Sequence, residues 1–223
     1  MIPIRDVIPS RTVPIVTIAL IVANSFVYLY EWMLWAADER LLQAFIFHYG
    51  LVPVRFRWSA AFTSMFLHAN LIHVLGNMWF LWIFGDNVED RLGHGRFIAF
   101  YLLCGLVGAA VQTVTTPYSF IPTIGASGAI AGVMGGYLVL YPHSRVLTII
   151  PPFIFWVVEI PAVFFLGYWF VLQLFNGFGT IAVSTSTTAG GVAFWAHIAG
   201  FVAGASMVFV FRRPERQRVE WWD

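Results

Sequence analysis

The chain has 223 residues, of which 60% are hydrophobic and 10% charged, against roughly 45–50% apolar and about 25% charged in a typical soluble domain. That is more apolar surface than one water-soluble core of this size can hide, so a soluble enzyme, a disordered tail and a collagen-like fibre are excluded. Twelve Arg, no Lys and eleven acids leave a net charge of +1, which offers no basic surface to nucleic acid.

A membrane-spanning helix needs about 20 mostly apolar residues. Six runs qualify, roughly 14–36, 61–84, 97–115, 126–142, 153–175 and 191–211. They predict an all-α integral membrane protein, a six-transmembrane-helix bundle. The first run is too long, and followed by too much further apolar chain, for a cleavable signal. Residues 14–211 form one core between a short tail over 1–13 and a short basic tail over 212–223, so any activity is expected in the bundle or its loops. The long loop over 37–60 mixes Arg55, Phe56, Arg57 and Trp58 with apolar residues, which suggests a segment resting at the membrane interface. Cys104 stands alone in the third run, so neither a disulfide framework nor a Cys-based metal site is expected. Pro151 and Pro152 break any helix between the fourth and fifth runs, and Glu159 beyond them is expected to reach the headgroups near Arg145. The connection over 176–190 is uncharged and rich in Gly, Ser and Thr, the make-up of a mobile cap. With six spans, Arg91, Arg96, Arg145 and the six Arg of the tails share one side, and Arg40, Arg55 and Arg57 the other. That excess predicts both termini in the cytoplasm, the expected setting being a prokaryotic inner membrane.

Polar side chains inside a bilayer are expensive and usually face the bundle interior or a water-filled cavity. In the second run His73 and Asn77 are four apart and share one helical face. Both can donate hydrogen bonds, as interhelical contacts or to a reacting group. His68, five before His73, is about 140° round an ideal helix and is expected to bond structurally to the first outer loop. The fourth run carries Gly128, Gly132 and Gly136 at four-residue spacing after Gly125, and the sixth carries Ala196, Gly200 and Gly204. Such stripes let helix backbones approach closely. Two helices packed in that way bring Ser127 within hydrogen-bond reach of His197. Ser127 opens its run at a helix N-terminus, where free N–H groups and the dipole favour negative charge and suit a tetrahedral oxyanion. Counting along the runs puts Ser127, His197 and His73 in the same half of the bilayer. A Ser, a His and two further donors at one depth form an acyl-transfer constellation. With no acid expected at that depth to orient the His, it reads as a dyad.

Gly125-Ala126-Ser127-Gly128, His73 with Asn77, Ala196-His197 with Gly200 and Gly204, and the segment Glu89, Asp90, Arg91, Leu92, Gly93 together resemble the signatures of the rhomboid intramembrane serine proteases. The likeness covers the six-span core. It implies Ser127 as nucleophile and His197 as general base, with His73, Asn77 and the Ser127 backbone N–H as oxyanion hole. It also implies transmembrane segments of other proteins as substrates, within the lipid bilayer, with no metal and no cofactor. Two positions depart from the family: Ala131 stands where some members have a Tyr stacked on the catalytic His, and Arg57-Trp58 reverses a Trp-Arg pair.

A transporter would show broken helices in two related halves, and no internal repeat is present. A zinc protease would need ligand spacing such as His-Glu-x-x-His, which His68 and His73 do not provide. A non-catalytic relative that binds transmembrane helices would be marked by loss of the Ser or the His, and both are present.

Overall fold

The computed structural model describes residues 1–150, 153–183 and 192–214. The chain opens on a strand, β1 (Ile2–Asp6). Pro14, placed just ahead of the first turn where its missing N–H costs nothing, leads into α1 (Ile15–Ala37). Asp38 then caps the amphipathic α2 (Glu39–Tyr49) by accepting the Arg40 N–H at 2.8 Å. The expected 37–60 loop thus contains a helix, and Leu41, Phe47 and Trp58 within it are exposed. The short helix α3 (Trp58–Thr63) and a single 3-10 turn, Ser64–Phe66, meet α4 (Leu71–Leu92) at a 90° bend. The second apolar run is therefore broken at 67–70 rather than continuous. Asn70 explains the break, because its side chain accepts the His73 N–H at 2.9 Å and so starts a new helix.

Gly93, at φ +81°, turns the chain from α4 directly into α5 (His94–Thr115). Glu89 ties this corner to α1. Its carboxylate accepts the Val16 and Thr17 N–H groups at 2.9 and 2.8 Å, the Thr17 hydroxyl at 2.7 Å, and faces His94 Nδ1 at 2.6 Å. An acid there satisfies two donors that the first turn of α1 leaves free.

The next helix, α6 (Ser127–Leu140), is only 14 residues long, and every residue from Gly128 to Tyr137 is buried. It packs against α4, α5, α7 (Ala162–Val183) and α8 (Phe194–Phe211). Among the described residues, four helices (α1, α5, α7 and α8) are long and apolar enough to cross a membrane, the bent α3–α4 pair makes a fifth if taken as one span, and α6 is a shorter apolar helix. The chain is thus a mostly helical membrane bundle. Its core runs through Leu81, Phe84, Phe100, Tyr101, Met134 and Tyr137, all essentially inaccessible. Lipid is as apolar as these side chains, so their fit and the close approach of backbones, rather than transfer from water, hold the helices together.

The fifth run departs from expectation. Only residues from Ala162 onward are helical; before them β2 (Arg145–Ile150) and β3 (Phe153–Pro161) pair antiparallel and join β1 in a sheet ordered β1-β2-β3. The β-branched content of 146–160 favours a pleated strand over a helix. The Pro151–Pro152 pair lies outside the described residues. Glu159 meets Arg145 across the two strands, carboxylate to guanidinium at 3.0 Å. The N-terminal tail likewise holds more structure than expected. The Trp79 indole N–H donates to the Pro3 carbonyl at 2.7 Å, and Asp6 accepts from the Tyr137 hydroxyl at 2.7 Å and the Asn87 amide at 3.0 Å. Burial of Asp6 raises its carboxyl above the ordinary range. This sheet lies at the opposite end of α6 from Ser127. At the other end of α7, residues up to Val183 continue the helix, so the first half of the expected cap is helical; residues 184–191 lie outside the described residues.

Candidate active site

Ser127 is the first residue of α6, and its N–H belongs to the first turn, which has no acceptor within the helix. His197 lies near the start of α8. Their side chains meet, Ser127 Oγ to His197 Nε2 at 2.7 Å.

The glycine stripes explain why two helices come this near. A Cβ at Gly200 would overlap the Gly128 carbonyl oxygen, and one at Gly204 would overlap the Gly132 carbonyl oxygen. Gly132 itself is closed off chiefly by Cys104 of α5, while Gly128 has ordinary contact distances to Ala196. A Cβ at Gly135 would likewise overlap the Phe201 carbonyl oxygen, so the tight demand falls on Gly200 and Gly204 of α8 and on Gly135 of α6. Gln112 of α5 adds a polar tie, accepting the Ala196 N–H at 3.2 Å beside His197.

Both expected donors line the same cavity as the pair. It measures about 680 Å³, and Ser127, His197, His73, Asn77, Gly76 and Trp169 are in its wall. His73 is the third residue of α4, because the break at 67–70 starts a new helix partway along the second apolar run. The Ala69 N–H donates to His73 Nδ1 at 3.4 Å. An amide N–H can only donate, so Nδ1 is bare in the neutral ring and Nε2 carries the proton. A Cβ at Gly125 would stand 2.9 Å from His73 Cε1 and Nε2, and Gly125 has φ +128°. Glycine is required there on both counts. Asn77 is buried, and its amide nitrogen has no hydrogen-bond acceptor among the described residues.

His68 takes a different place from the one a continuous helix would give it. It sits in the break, 2% exposed, with its ring edge-on to that of His73 at 5.1 Å. Its backbone N–H donates to the Glu31 carboxylate at 3.1 and 3.3 Å. Glu31, on α1 and 2% exposed, is an acid in the part of the bundle where none was expected. It engages the α3–α4 break, not the Ser127–His197 pair. An isolated acid in an apolar run is itself the signal that could have drawn attention to it.

Sequence reasoning also missed Gln173. This α7 residue places its amide oxygen 2.9 Å from His197 Nδ1, and the Trp169 ring lies 6.0 Å from the imidazole at 33°. Ala131, fully buried, supplies no ring to His197.

Comparison with known proteins follows the same lines. Residues 55–214, well over half of the chain, match the family model of the Rhomboid domain. The chain is 38% identical over 88 residues to rhomboid protease GluP of Bacillus subtilis, covering 40% of this chain and 17% of that protein. It is 31% identical over 136 residues to the mitochondrial presenilin-associated rhomboid-like protein of Bos taurus, covering 60% and 35%. Identity to rhomboid protease GlpG of Salmonella paratyphi A is 27% over 191 residues, covering 84% and 56%. The chain thus spans between 17% and 56% of the length of these relatives. On the extent of that match, this chain belongs to the rhomboid family.

Proposed function

We propose that this chain is an intramembrane serine endopeptidase that cuts transmembrane segments of other membrane proteins with a Ser127–His197 dyad. The observation that carries this reading is the 2.7 Å contact between Ser127 Oγ and His197 Nε2 in the wall of a cavity that also holds His73 and Asn77. His197 Nε2 takes the Ser127 proton as Oγ attacks the scissile carbonyl carbon. The oxyanion that forms is met by the His73 Nε2–H, the Asn77 amide N–H and the Ser127 backbone N–H. Collapse of that intermediate passes the proton from His197 to the leaving amine and leaves an acyl-enzyme on Oγ. Water then attacks the ester, giving its proton to His197, and the second collapse releases the carboxylate and restores the serine hydroxyl.

A peptide bond within a helix has its carbonyl already hydrogen-bonded, so the substrate must unwind locally before Oγ reaches it. Single-span proteins with Gly, Ser or other helix-weakening residues near the membrane surface suit that requirement. In this reading the Ser127 end of the bundle faces the outer side and both termini face the cytoplasm of a prokaryotic cell, an orientation supported by the excess of Arg in the tails and in the connections on their side.

Cleavage of a reconstituted transmembrane substrate tests the dyad. Ser127→Ala and His197→Ala each abolish cleavage while the protein stays folded, and the double variant is no worse than either single, because groups that act as a unit are non-additive. Full activity in either single variant removes the dyad.

A further inference from the structure

Gln173 has a role beyond filling space, and its own hydrogen bonds define it. On one side its amide nitrogen donates to the Trp169 carbonyl, one turn back on α7, at 3.4 Å. A carbonyl oxygen can only accept, so the NH₂ end of the amide is fixed toward Trp169 and Oε1 is fixed toward His197. Oε1 in turn can only accept, and it stands 2.9 Å from His197 Nδ1. Nδ1 must therefore carry the proton. A neutral imidazole has one N–H, so Nε2 is left bare, and it is Nε2 that lies 2.7 Å from Ser127 Oγ. The opposite tautomer would set an N–H against the serine hydroxyl and an unshared pair against the amide oxygen.

We propose that Gln173 is the positioning residue of this site, holding His197 in the tautomer that can accept the Ser127 proton. The proposal rests on the dyad reading above. It also accounts for Ala131, because Trp169 and Gln173, one turn apart on α7, orient the ring from the opposite side to α6. Once Nε2 is protonated, the Nδ1–H···Oε1 bond persists, so the ring keeps its direction through both proton transfers. The amide adds no charge, which distinguishes it from the carboxylate of a Ser-His-Asp triad. The arrangement also makes the base depend on α7. Ser127, His73 and Asn77 stand on α6 and α4, and His197 is locked to α6 by Gly200 and Gly204, but the group that sets its tautomer is on a separate helix.

The test uses the full chain in proteoliposomes, comparing native protein, Gln173→Leu and Gln173→Glu for kcat, KM, pH profile and thermal midpoint. Gln173→Leu keeps the bulk and removes the acceptor. It lowers kcat by about tenfold to a hundredfold, with KM within about twofold and the thermal midpoint unchanged. Gln173→Glu restores the acceptor. It recovers most of the lost rate and moves the acid limb of the profile upward by about one pH unit or more, since an adjacent carboxylate favours the charged imidazole. Native kcat in Gln173→Leu overturns the proposal. So does a loss that Gln173→Glu neither rescues nor shifts in pH, which marks a purely structural residue. Absence of cleavage by the native protein would instead overturn the protease reading on which the proposal rests.

Discussion

His73 and Asn77 are held differently, and in the proposed mechanism this sets what each would contribute. His73 has its Nδ1 occupied by the Ala69 N–H and its ring pressed against Gly125, so Nε2–H is aimed by both contacts. Asn77 is buried with an amide nitrogen that no described residue engages. A donor in the cavity wall that no protein acceptor engages is free to meet charge that develops beside it. Loss of one oxyanion donor commonly costs about 10²–10³ in kcat. His73→Ala and Asn77→Ala should each fall within that range or somewhat below it, with the larger change in kcat and the smaller in KM. Steady-state kinetics on one transmembrane substrate decides; native rates in both variants would leave the pair as interhelical contacts only. At this scale Ser127, His197, His73 and Asn77 were legible because each sits in a short motif whose spacing carries chemistry. Gln173 was not. Its partner is 24 residues further along the chain, and no local spacing links an amide on α7 to a ring on α8.

Between elements, the contact of α6 with α8 and the bend before α4 govern the geometry. A valine at Gly200 drives its side chain into the Gly128 carbonyl, so the helices must separate. A displacement of about 1 Å at the reacting atoms can cost about 100-fold. Gly200→Val should therefore lose cleavage while its far-UV dichroism stays helical, and retained activity would mean that α8 does not present this face to α6. At the bend, Glu31 holds the His68 N–H from α1. Glu31→Leu leaves that buried donor unpaired, a loss of about 1–3 kcal/mol. Thermal melts should show it, with Glu31→Gln, which keeps an acceptor oxygen, melting close to the native protein. The stripes and the long helices were readable from small-residue spacing and apolar run length. The sheet was not, because short, largely apolar stretches such as 146–150 and 153–158 do not declare strand or helix by periodicity. What pins β1 is a set of contacts between Pro3, Asp6, Trp79, Asn87 and Tyr137 that are distant in sequence.

For the whole molecule, the constraint is that a substrate helix and water must both reach a cavity among membrane helices. The cavity wall includes Gly76 and Phe80 of α4 and Trp169 of α7, so under the proposed function a substrate helix would enter through the space between those two helices. A reversible disulfide engineered between the ends of α4 and α7 nearest Ser127 should block transmembrane substrates and release them on reduction, while small water-borne reagents still reach Ser127. Cleavage at an undiminished rate in the cross-linked protein would rule that route out.

Whether Ser127 is an activated nucleophile at all is read by covalent labelling with a fluorophosphonate, followed by intact mass and peptide mapping. Native protein should gain one adduct, on Ser127, while Ser127→Ala and His197→Ala gain none. A native protein that stays unlabelled, or an adduct that maps elsewhere and persists in Ser127→Ala, would contradict the Ser127–His197 mechanism outright.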